Sequence, residues 1–469
     1  MMDVPGEILL VSCYELGHQP LTLASPLALL RADGFAPVSV DTSVSELTDE
    51  VIRAARLVAI SVPMHTALRL GARVAERVRA AHPSAHICFY GLYASLNADY
   101  LLREHADFVI GGEYEAALLG LARALASGDV SPSVPGVRTR AVDAPPVLAR
   151  LPFVQPERAS LPTAKSYAHL VRGDEVVPAG YVEASRGCLH TCRHCPITPV
   201  YGGRFFIVPR GVVLADIRAQ VAAGVRHITF GDPDFLNGPG HSLAIVRALH
   251  AEFPDVTFDA TIKIEHILER RDVFPELAAL GCAFVVSAVE SLSAEVLRHL
   301  KKGHTRADVA EALTILDDAG IPMRPTFVAF TPWTTARAYV DVLDFIAEHD
   351  LIEHVDPVQY TIRLLVPPGS ALLEEADATT WLGPLDEPNF TYQWAHPDPR
   401  MDDMQRAVAA LVERETVAQR DNASIFAAIR ALAEEMLGVP ASARTWGTQR
   451  GGVATKRRPV PHLTEAWFC

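Results

Sequence analysis

Cysteine, long apolar runs and basic side chains are all scarce in this sequence. It has seven cysteines in 469 residues, an odd number with three bunched together, which does not predict a disulfide framework. No apolar run approaches the roughly 20 residues of a membrane span, and the first residues lack the basic segment of a targeting signal. The formal net charge of −14 disfavours a nucleic-acid partner. We therefore expect a cytoplasmic protein that binds neither membrane nor nucleic acid.

The residues that are present follow an α/β pattern. Hydrophobic residues make up 49% of the chain and charged residues 21%, as in globular proteins, and 469 residues are enough for two or three domains. Residues 1–125 alternate apolar strands with helices, which predicts a doubly wound Rossmann-like domain with a parallel sheet covered on both faces. Ligands of such domains bind beyond the C-terminal strand ends, where we place Cys13, Tyr14, Met64, His65 and Gly91.

A second α/β unit follows a linker. Residues 126–175 are rich in proline and lack periodicity, so we predict a linker there. Residues 176–372 predict a partial or full (β/α) barrel, whose active site lies at the C-terminal ends of the strands. Residues 373–469 predict a mainly helical region. The six strand candidates of the barrel are "YVEAS", "HITFG", "TFDATI", "AFVVSAVE", "MRPTFVAF" and "VQYTIRLL".

The bunched cysteines lie directly after the first of these barrel strands. Cys188, Cys192 and Cys195 have the spacing C-x₃-C-x₂-C, with His190 and His194 between them. Thiolates are the usual ligands of a [4Fe–4S] cluster, and three of them leave one iron open for a small molecule. The alternative is a zinc site completed by one of the two histidines. Structural zinc is usually held by two separated ligand pairs, so the spacing favours the cluster.

This loop resembles that of radical S-adenosylmethionine (SAM) enzymes, in which three such cysteines hold a [4Fe–4S] cluster and SAM chelates the unique iron. Two later segments, "FGDPDFLN" and "SAVESLSAEVLRHLKKGHT", are similar to SAM-binding motifs of that family. Structural alternatives are a helix cap for Asp232, a surface acid for Glu290 and an ion pair for Arg324. The SAM contacts that the resemblance implies are Asp232 and Asp234 for the amine, Ser287, Glu290 and Ser291 for the ribose and carboxylate region, and Arg324 for the carboxylate.

The N-terminal domain resembles the cobalamin-binding domains that are fused to many radical SAM enzymes. The stretch "ADFVIGGEYEAALLGL" is typical of them. No D-x-H-x-x-G motif is present, and the residues that flank His18 do not match it, so no histidine is placed to ligate cobalt in the usual way. Cobalamin therefore stays an open cofactor, and the alternative is a domain that only shapes the substrate cleft.

The C-terminal region resembles the radical SAM group named for a CUAEP or CCAEP tail, where U is selenocysteine. The matching segments are "TYQWAHPDPRMDDMQRAVAALVERETVAQ" and the end "PHLTEAWFC". The chain stops at Cys469, where that group continues, and a UGA codon read as a stop is one explanation. The resemblance implies a role in arsinothricin biosynthesis.

For this group the implied reaction is transfer of the 3-amino-3-carboxypropyl group of SAM to trivalent arsenic. Electrons would come from a reductant such as flavodoxin or ferredoxin. Because arsenite favours thiolates, we take Cys13 and Cys469 as candidate substrate thiols. The alternatives are a cobalamin-dependent radical SAM methyltransferase and, outside the enzymes, a zinc- or cluster-based sensor.

Overall fold

Two α/β sheets follow each other along the chain in the computed structural model, which describes residues 4–129, 132–149, 152–375, 377–438, 457 and 460–465. The first sheet has the strand order β2-β1-β3-β4-β5-β6, with β1 to β5 parallel and β6 antiparallel to β5. Its strands are β1 (Ile8–Ser12), β2 (Val38–Asp41), β3 (Leu57–Ser61), β4 (His86–Tyr90), β5 (Phe108–Ile110) and β6 (Val137–Arg138). Its helices are α1 (Leu21–Ala32), α2 (Asp49–Ala54), α3 (His65–Ala81), α4 (Leu92–Leu96), α5 (Ala98–Glu104) and α6 (Glu115–Ala126).

Helices cover both faces of this first sheet. All five residues of β1 are buried, and they divide between two cores. Leu9 and Val11 pack on one side, whereas Ile8 and Leu10 pack on the other. Strands buried on both faces read as continuous apolar runs. The predicted doubly wound N-terminal domain is confirmed.

The second sheet is a curled half-barrel. Strands β8, β11, β12, β13 and β14 are parallel neighbours, and β7 pairs antiparallel with β8. The strands of this part are β7 (His169–Arg172), β8 (Glu175–Val182), β9 (Ser185–Gly187), β10 (Phe205–Ile207), β11 (His227–Phe230), β12 (Thr257–Thr261), β13 (Cys282–Glu290) and β14 (Met323–Phe327). The helices are α7 (Ile197–Tyr201), α8 (Arg210–Ala222), α9 (Pro239–Glu252), α10 (Ile264–Glu269), α11 (Phe274–Ala279), α12 (Ala294–Leu300), α13 (Arg306–Ala319) and α14 (Ala336–Glu348).

The sixth strand predicted for the barrel does not form. Part of "VQYTIRLL" is a 3₁₀ helix, Pro357–Tyr360, and only Arg363 forms a bridge, to Phe330. Pro357 has no N–H to donate to a strand partner and fixes its own φ, which favours the start of a helical turn. The parallel sheet therefore stays open beyond β14 along the described chain.

The rest of the described chain is mainly helical, as predicted. It contains α15 (Ala378–Trp381), the hairpin of β15 (Leu382–Asp386) and β16 (Thr391–Trp394), α16 (Pro399–Val417), α17 (Asn422–Leu437) and β17 (His462–Leu463). Strand β17 returns to the half-barrel and pairs antiparallel with β7. Six further 3₁₀ helices are Ala164–Ser166, Phe235–Asn237, Arg271–Val273, Ile352–His354, Ala371–Glu374 and Glu387–Asn389.

Two short strands lie within the segment that was predicted to be a linker. Strand β6 extends the first sheet and β7 forms a hairpin with β8 of the second. Among the described residues, no helix combines the length and the hydropathy needed to cross a bilayer.

Candidate active site

The three-cysteine loop connects β9 to β10, directly after the first parallel strand of the half-barrel. These two strands pair antiparallel, and the backbone N–H of Cys188 donates to the carbonyl of Arg204 at 3.0 Å. Gly187 has a φ of 75°. A Cβ there would lie 2.5 Å from the Arg204 oxygen and 2.6 Å from the ring of Tyr201, so only glycine fits at the entry to the loop.

The loop brings three free thiols together. Cys188, Cys192 and Cys195 form no disulfide. Burial, with smaller contributions from Cys192 and Cys188, raises the pKa of the Cys195 thiol to about 12, although Lys302 partly opposes the rise. The described cysteines outside the loop, Cys13, Cys88 and Cys282, are all buried in apolar cores. Three soft ligands on one loop with a cation beside them fit a [4Fe–4S] cluster with one open iron.

Glu290 lies against this loop. Its Oε1 is 3.2 Å from Nε2 of His194, the residue between the second and third cysteines, and 3.4 Å from Nζ of Lys302. Burial alone would raise the pKa of Glu290, but Lys302 and His194 lower it to about 2, so the carboxylate is ionised. Glu290 also has a φ of 65° where β13 ends. Such a conformation is costly for glutamate, and strain of this kind clusters at functional sites.

Asp232 supports the strand that leads into the loop. Its Oδ2 accepts a hydrogen bond from the backbone N–H of Ala184 at 2.8 Å, and its Oδ1 accepts one from the hydroxyl of Ser185 at 2.5 Å. Burial raises the pKa of this carboxyl to about 7. Asp232 therefore lies just after β11 beside the cysteine loop, and its contact with SAM stays a prediction.

Asp234 lies between two histidines. Its Oδ1 caps the 3₁₀ helix Phe235–Asn237 by accepting from the N–H of Leu236 at 3.2 Å. Its Oδ2 is 2.7 Å from Nδ1 of His266 and 3.3 Å from Nε2 of His190. Although burial raises the pKa of Asp234, the two histidines hold it below its usual value. Both oxygens therefore have neighbours within the chain.

The two remaining serines of the predicted set differ in position. Ser287 is fully buried and donates to the carbonyl of Ile262 at 2.8 Å. On β13 it has the same parity as Val285 and Val289, which belong to the core beneath the helices, so the predicted SAM contact of Ser287 is wrong. The hydroxyl of Ser291 accepts from the N–H of Ser293 at 3.2 Å just after Glu290.

Arg324 is also not where a SAM contact requires it. It is the second residue of β14, at the N-terminal end of that strand, whereas the cysteine loop is at the opposite end of the sheet. Its Nη2 lies 2.6 Å from Asp356 and its Nη1 donates to the carbonyl of Pro461 at 3.3 Å. The structural ion pair is the correct reading, because position along a strand decides which end of the barrel a side chain reaches.

The two candidate substrate thiols have different outcomes. Cys13 is 2% exposed and packs in the N-terminal core. Burial raises the pKa of its thiol to about 11. Because the Cys13 side chain has no access from solvent, the structure does not support it as a substrate thiol. Cys469 lies outside the described residues.

Sequence reasoning missed three basic side chains near the cysteine loop: Lys263, His266 and Lys302. Lys263 and His266 follow β12 in "KIEH", and Lys302 follows α12 in "KKGHT". For Lys263 the available signal was a polar residue just after an apolar strand, as for Asp232. Lys263 is 8% exposed and its Nζ lies 3.2 Å from Nδ1 of His190.

Arg186 joins the cysteine loop to the N-terminal domain. Its Nη1 lies 2.7 Å from Glu115, the first residue of α6, and 3.2 Å from Glu113 in the connection before α6, and its Nε lies 2.7 Å from Glu183. Tyr201 also donates to Glu113, at 2.9 Å. A buried cation two residues before Cys188 thus holds the loop against the first domain.

The histidines near the C-terminal edge of the first sheet are engaged with the protein itself. His18 is 4% exposed and packs on Tyr181 with ring centroids 5.1 Å apart. Burial lowers the pKa of His18 to about 4. Nε2 of His65 lies 2.8 Å from the carbonyl oxygen of Asn389. Neither imidazole is placed to ligate cobalt.

At the same edge, the space beside two glycines is occupied by the chain's own backbone. A Cβ on Gly91 would lie 3.3 Å from the carbonyl of Val62, and one on Gly112 would lie 2.4 Å from the carbonyl of Val147. Gly112 also forms a parallel bridge with Val147. The described residues of this edge therefore do not fit cobalamin, because they offer neither an open backbone cradle nor a free histidine.

Comparison with known proteins agrees with the loop. Residues 182–346 match the Radical SAM superfamily. The chain is 22% identical over 195 residues to a putative methylthiotransferase of Methanocaldococcus jannaschii, covering 39% of this chain and 41% of that protein. It is 25% identical over 233 residues to the hopanoid C-3 methylase of Methylococcus capsulatus, covering 49% of this chain and 44% of that protein. The chain thus spans less than half the length of these two curated relatives.

Solved structures share the arrangement of both sheets. The cobalamin-dependent SAM radical enzyme OxsB, with aqua-cobalamin bound, matches 92% of this chain and 71% of its own at a TM-score of 0.70 and 14% identity. The radical SAM methyltransferase TsrM from Kitasatospora setae, with cobalamin and a [4Fe–4S] cluster bound, matches 73% of this chain and 70% of its own. The TM-score is 0.58 and the sequence identity 18%. The chain therefore contains a radical SAM domain, which implies a [4Fe–4S] cluster and SAM, and has the fold of cobalamin-binding radical SAM enzymes.

Proposed function

We propose that this protein is a radical SAM methyltransferase that acts on a small molecule. The observation that carries the proposal is the set of three free thiols on one loop, at the C-terminal ends of the half-barrel strands and inside the matched family region. When bound there, a reduced [4Fe–4S] cluster supplies the electron that cleaves the sulfonium of SAM. Cys188, Cys192 and Cys195 would hold it.

The protein's own residues position and enclose the reactants. Lys302 and the ionised Glu290 place a charged pair beside the thiols, and Asp232 fixes the backbone that enters the loop. Asp232 and Glu290 are the acids that we assign to the SAM amine and ribose regions. Both are more than nine-tenths buried, so polar contacts to SAM there would be strengthened by the low local dielectric.

The comparisons support transfer of a methyl or a methylthio group, and we propose methyl. A hopanoid methylase and a tryptophan-binding radical SAM methyltransferase both resemble this chain. Because the N-terminal edge does not fit cobalamin, the proposal includes no step through it, and cobalamin enters only as a variable of the experiment.

Transfer of the 3-amino-3-carboxypropyl group to trivalent arsenic is the second candidate. It rests on the resemblance of the C-terminal tail. One observation favours it: β17 carries the residues just before that tail back to the edge of the half-barrel. A Cβ on Gly17 would lie 2.6 Å from the side chain of Glu465, so the described tail contacts the β1–α1 connection. The burial of Cys13 removes one of the two thiols on which this candidate was based.

The nucleoside left from SAM separates the two reactions. Reconstituted protein is incubated anaerobically with reductant and SAM, with and without arsenite and with and without cobalamin, and the nucleosides are separated by chromatography. Methyl transfer leaves S-adenosylhomocysteine, and reductive cleavage of a further SAM at the ribose C–S bond leaves 5′-deoxyadenosine and methionine, so we expect both nucleosides with a small organic acceptor. Arsenite-dependent 5′-methylthioadenosine with an equal amount of organoarsenical would contradict methyl transfer and support the second candidate. Intact SAM under every condition would contradict both.

A further inference from the structure

Three potential metal ligands converge beside the cysteine loop, each from a different element. His190 belongs to the loop, Asp234 follows β11 and His266 is on α10. Their nearest ligand atoms, Nε2, Oδ2 and Nδ1, all lie within 4.8 Å of one another. The two imidazole rings are 4.9 Å apart between centroids and inclined at 58°. Two histidines and one carboxylate thus face one shared point.

Among the described residues, none of these three atoms has a hydrogen-bond partner, although all three are buried. Asp234 Oδ2 nevertheless lies 2.7 Å from Nδ1 of His266 and 3.3 Å from Nε2 of His190. The Asp234 side chain is only 2% exposed. An unbonded buried polar atom costs about 1–3 kcal/mol, and one cation at the shared point would satisfy all three.

We propose that His190, Asp234 and His266 hold one divalent transition-metal ion next to the cluster loop. Imidazole suits zinc, iron, cobalt and nickel, and a set of two histidines and one carboxylate leaves coordination positions open. Behind His190, the outer ring nitrogen Nδ1 lies 3.2 Å from Nζ of Lys263 and 3.6 Å from Oε2 of Glu265, which are themselves an ion pair. This site is separate from the cluster thiols and goes beyond the proposed function.

A second group of three potential metal ligands differs, because its histidine is already hydrogen-bonded within the chain through both ring nitrogens. In the group His299, Glu375 and Asp377, Nδ1 of His299 bonds Glu375 at 2.7 Å and its Nε2 contacts Arg298 at 2.8 Å. The ring also stacks on Trp333 with centroids 4.0 Å apart. Both nitrogens are used, so this group carries no ion, in contrast to the site at His190.

The proposed ion would join three elements of the active site. Through His190 the ion would hold the cysteine loop. Asp234 would connect it to the end of β11, and His266 would connect it to α10, which follows β12. Its open positions would be available to a small molecule with oxygen or nitrogen donors near SAM. The ion would therefore position the loop and present a second binding point.

Cobalt(II) titration of the cluster-containing full chain tests the proposal. After anaerobic reconstitution and removal of loose metal, the protein is titrated with Co²⁺, and bound cobalt and iron are measured by mass spectrometry. We expect one cobalt per chain and a difference spectrum, taken against the cobalt-free protein, without new cobalt–thiolate charge-transfer bands. His266→Gln and Asp234→Asn should each weaken cobalt binding at least about tenfold while iron per chain is unchanged.

The matched control is His250→Gln, which removes a partly buried histidine of α9 outside the site. It should bind cobalt like the parent protein. Equal cobalt affinity in the parent and in both site variants would overturn the proposal, as would new cobalt–thiolate bands in the difference spectrum or no bound cobalt in the parent. Because iron content is read in the same samples, loss of the cluster function is distinguishable from loss of this site. Asp234→Asn keeps the shape of the side chain and serves if His266→Gln does not fold.

Discussion

The guanidinium of Arg186 lies 2.7 Å from the carboxylate of Glu115, which joins the cysteine loop to the N-terminal domain. Arg186 is 10% exposed and also contacts Glu113 and Glu183. Removing one partner of a buried ion pair leaves uncompensated charge, here three carboxylates. The N-terminal domain is thus part of what holds the cluster loop in place.

Arg186→Gln should lower the free energy of unfolding by about 3–5 kcal/mol. It should also reduce the iron retained per chain, because the loop loses its anchor. Urea unfolding and iron analysis measure the two effects. The control is Arg247→Gln, which removes an exposed pair with Glu276 and should cost under about 1 kcal/mol. Similar losses in the two variants would contradict the anchoring role.

Lys302→Met should destabilise the protein at neutral pH, because buried Glu290 would lose its closest cation. The pKa of Glu290 in the folded protein is about 2, below its usual value of 4.5. A lowered pKa contributes stability that is present above about pH 4.5 and is lost as the pH falls towards 2. The difference in unfolding free energy between the parent and Lys302→Met should therefore narrow over that window.

Urea unfolding of the metal-free protein at a series of pH values checks this. Lys301→Met is the matched control, since Lys301 is exposed and its Nζ donates to the hydroxyl of Thr191. A pH-independent difference for Lys302→Met, or an equal effect of Lys301→Met, would show that the Glu290 pair is not the cause.

Cys13 should resist alkylation in the folded protein. Its pKa of about 11, against an ordinary 9.0, reduces the thiolate fraction about 100-fold at pH 8, and burial reduces access further. Iodoacetamide labelling followed by peptide mass spectrometry compares it with Cys188 in cluster-free protein. We expect Cys188 to be labelled first and Cys13 only after unfolding. Equal rates would restore Cys13 as a candidate substrate thiol.

The sequence predicted what depends on local pattern and missed what depends on position in space. Apolar runs separated by helices were sufficient for both sheets, and the spacing of Cys188, Cys192 and Cys195 was sufficient for the cluster loop. Strand alternation predicts that Ser287 lies in the core with Val285 and Val289, whereas the motif resemblance predicts a contact with SAM. The sixth predicted barrel strand does not form, because Pro357, directly before it, lacks an N–H and favours a turn.

Side chains that meet only after folding could not be paired from sequence. His190, Asp234 and His266 are far apart in the chain, and only the common edge of parallel strands brings them together. Arg324 was assigned to SAM by its strand alone, yet it begins β14 and therefore lies at the far end of the sheet. A polar residue just after an apolar strand, such as Lys263 after β12, is a sequence pattern that predicts a site residue.

The metal content of anaerobically purified protein tests the central claim most directly. We predict a brown protein with about four irons and four sulfides per chain. Cys188→Ala, Cys192→Ala and Cys195→Ala should each remove the cluster and abolish reductive cleavage of SAM, whereas Cys282→Ala, a core thiol outside the loop, should keep both. A colourless protein with stoichiometric zinc at these three cysteines would contradict the account.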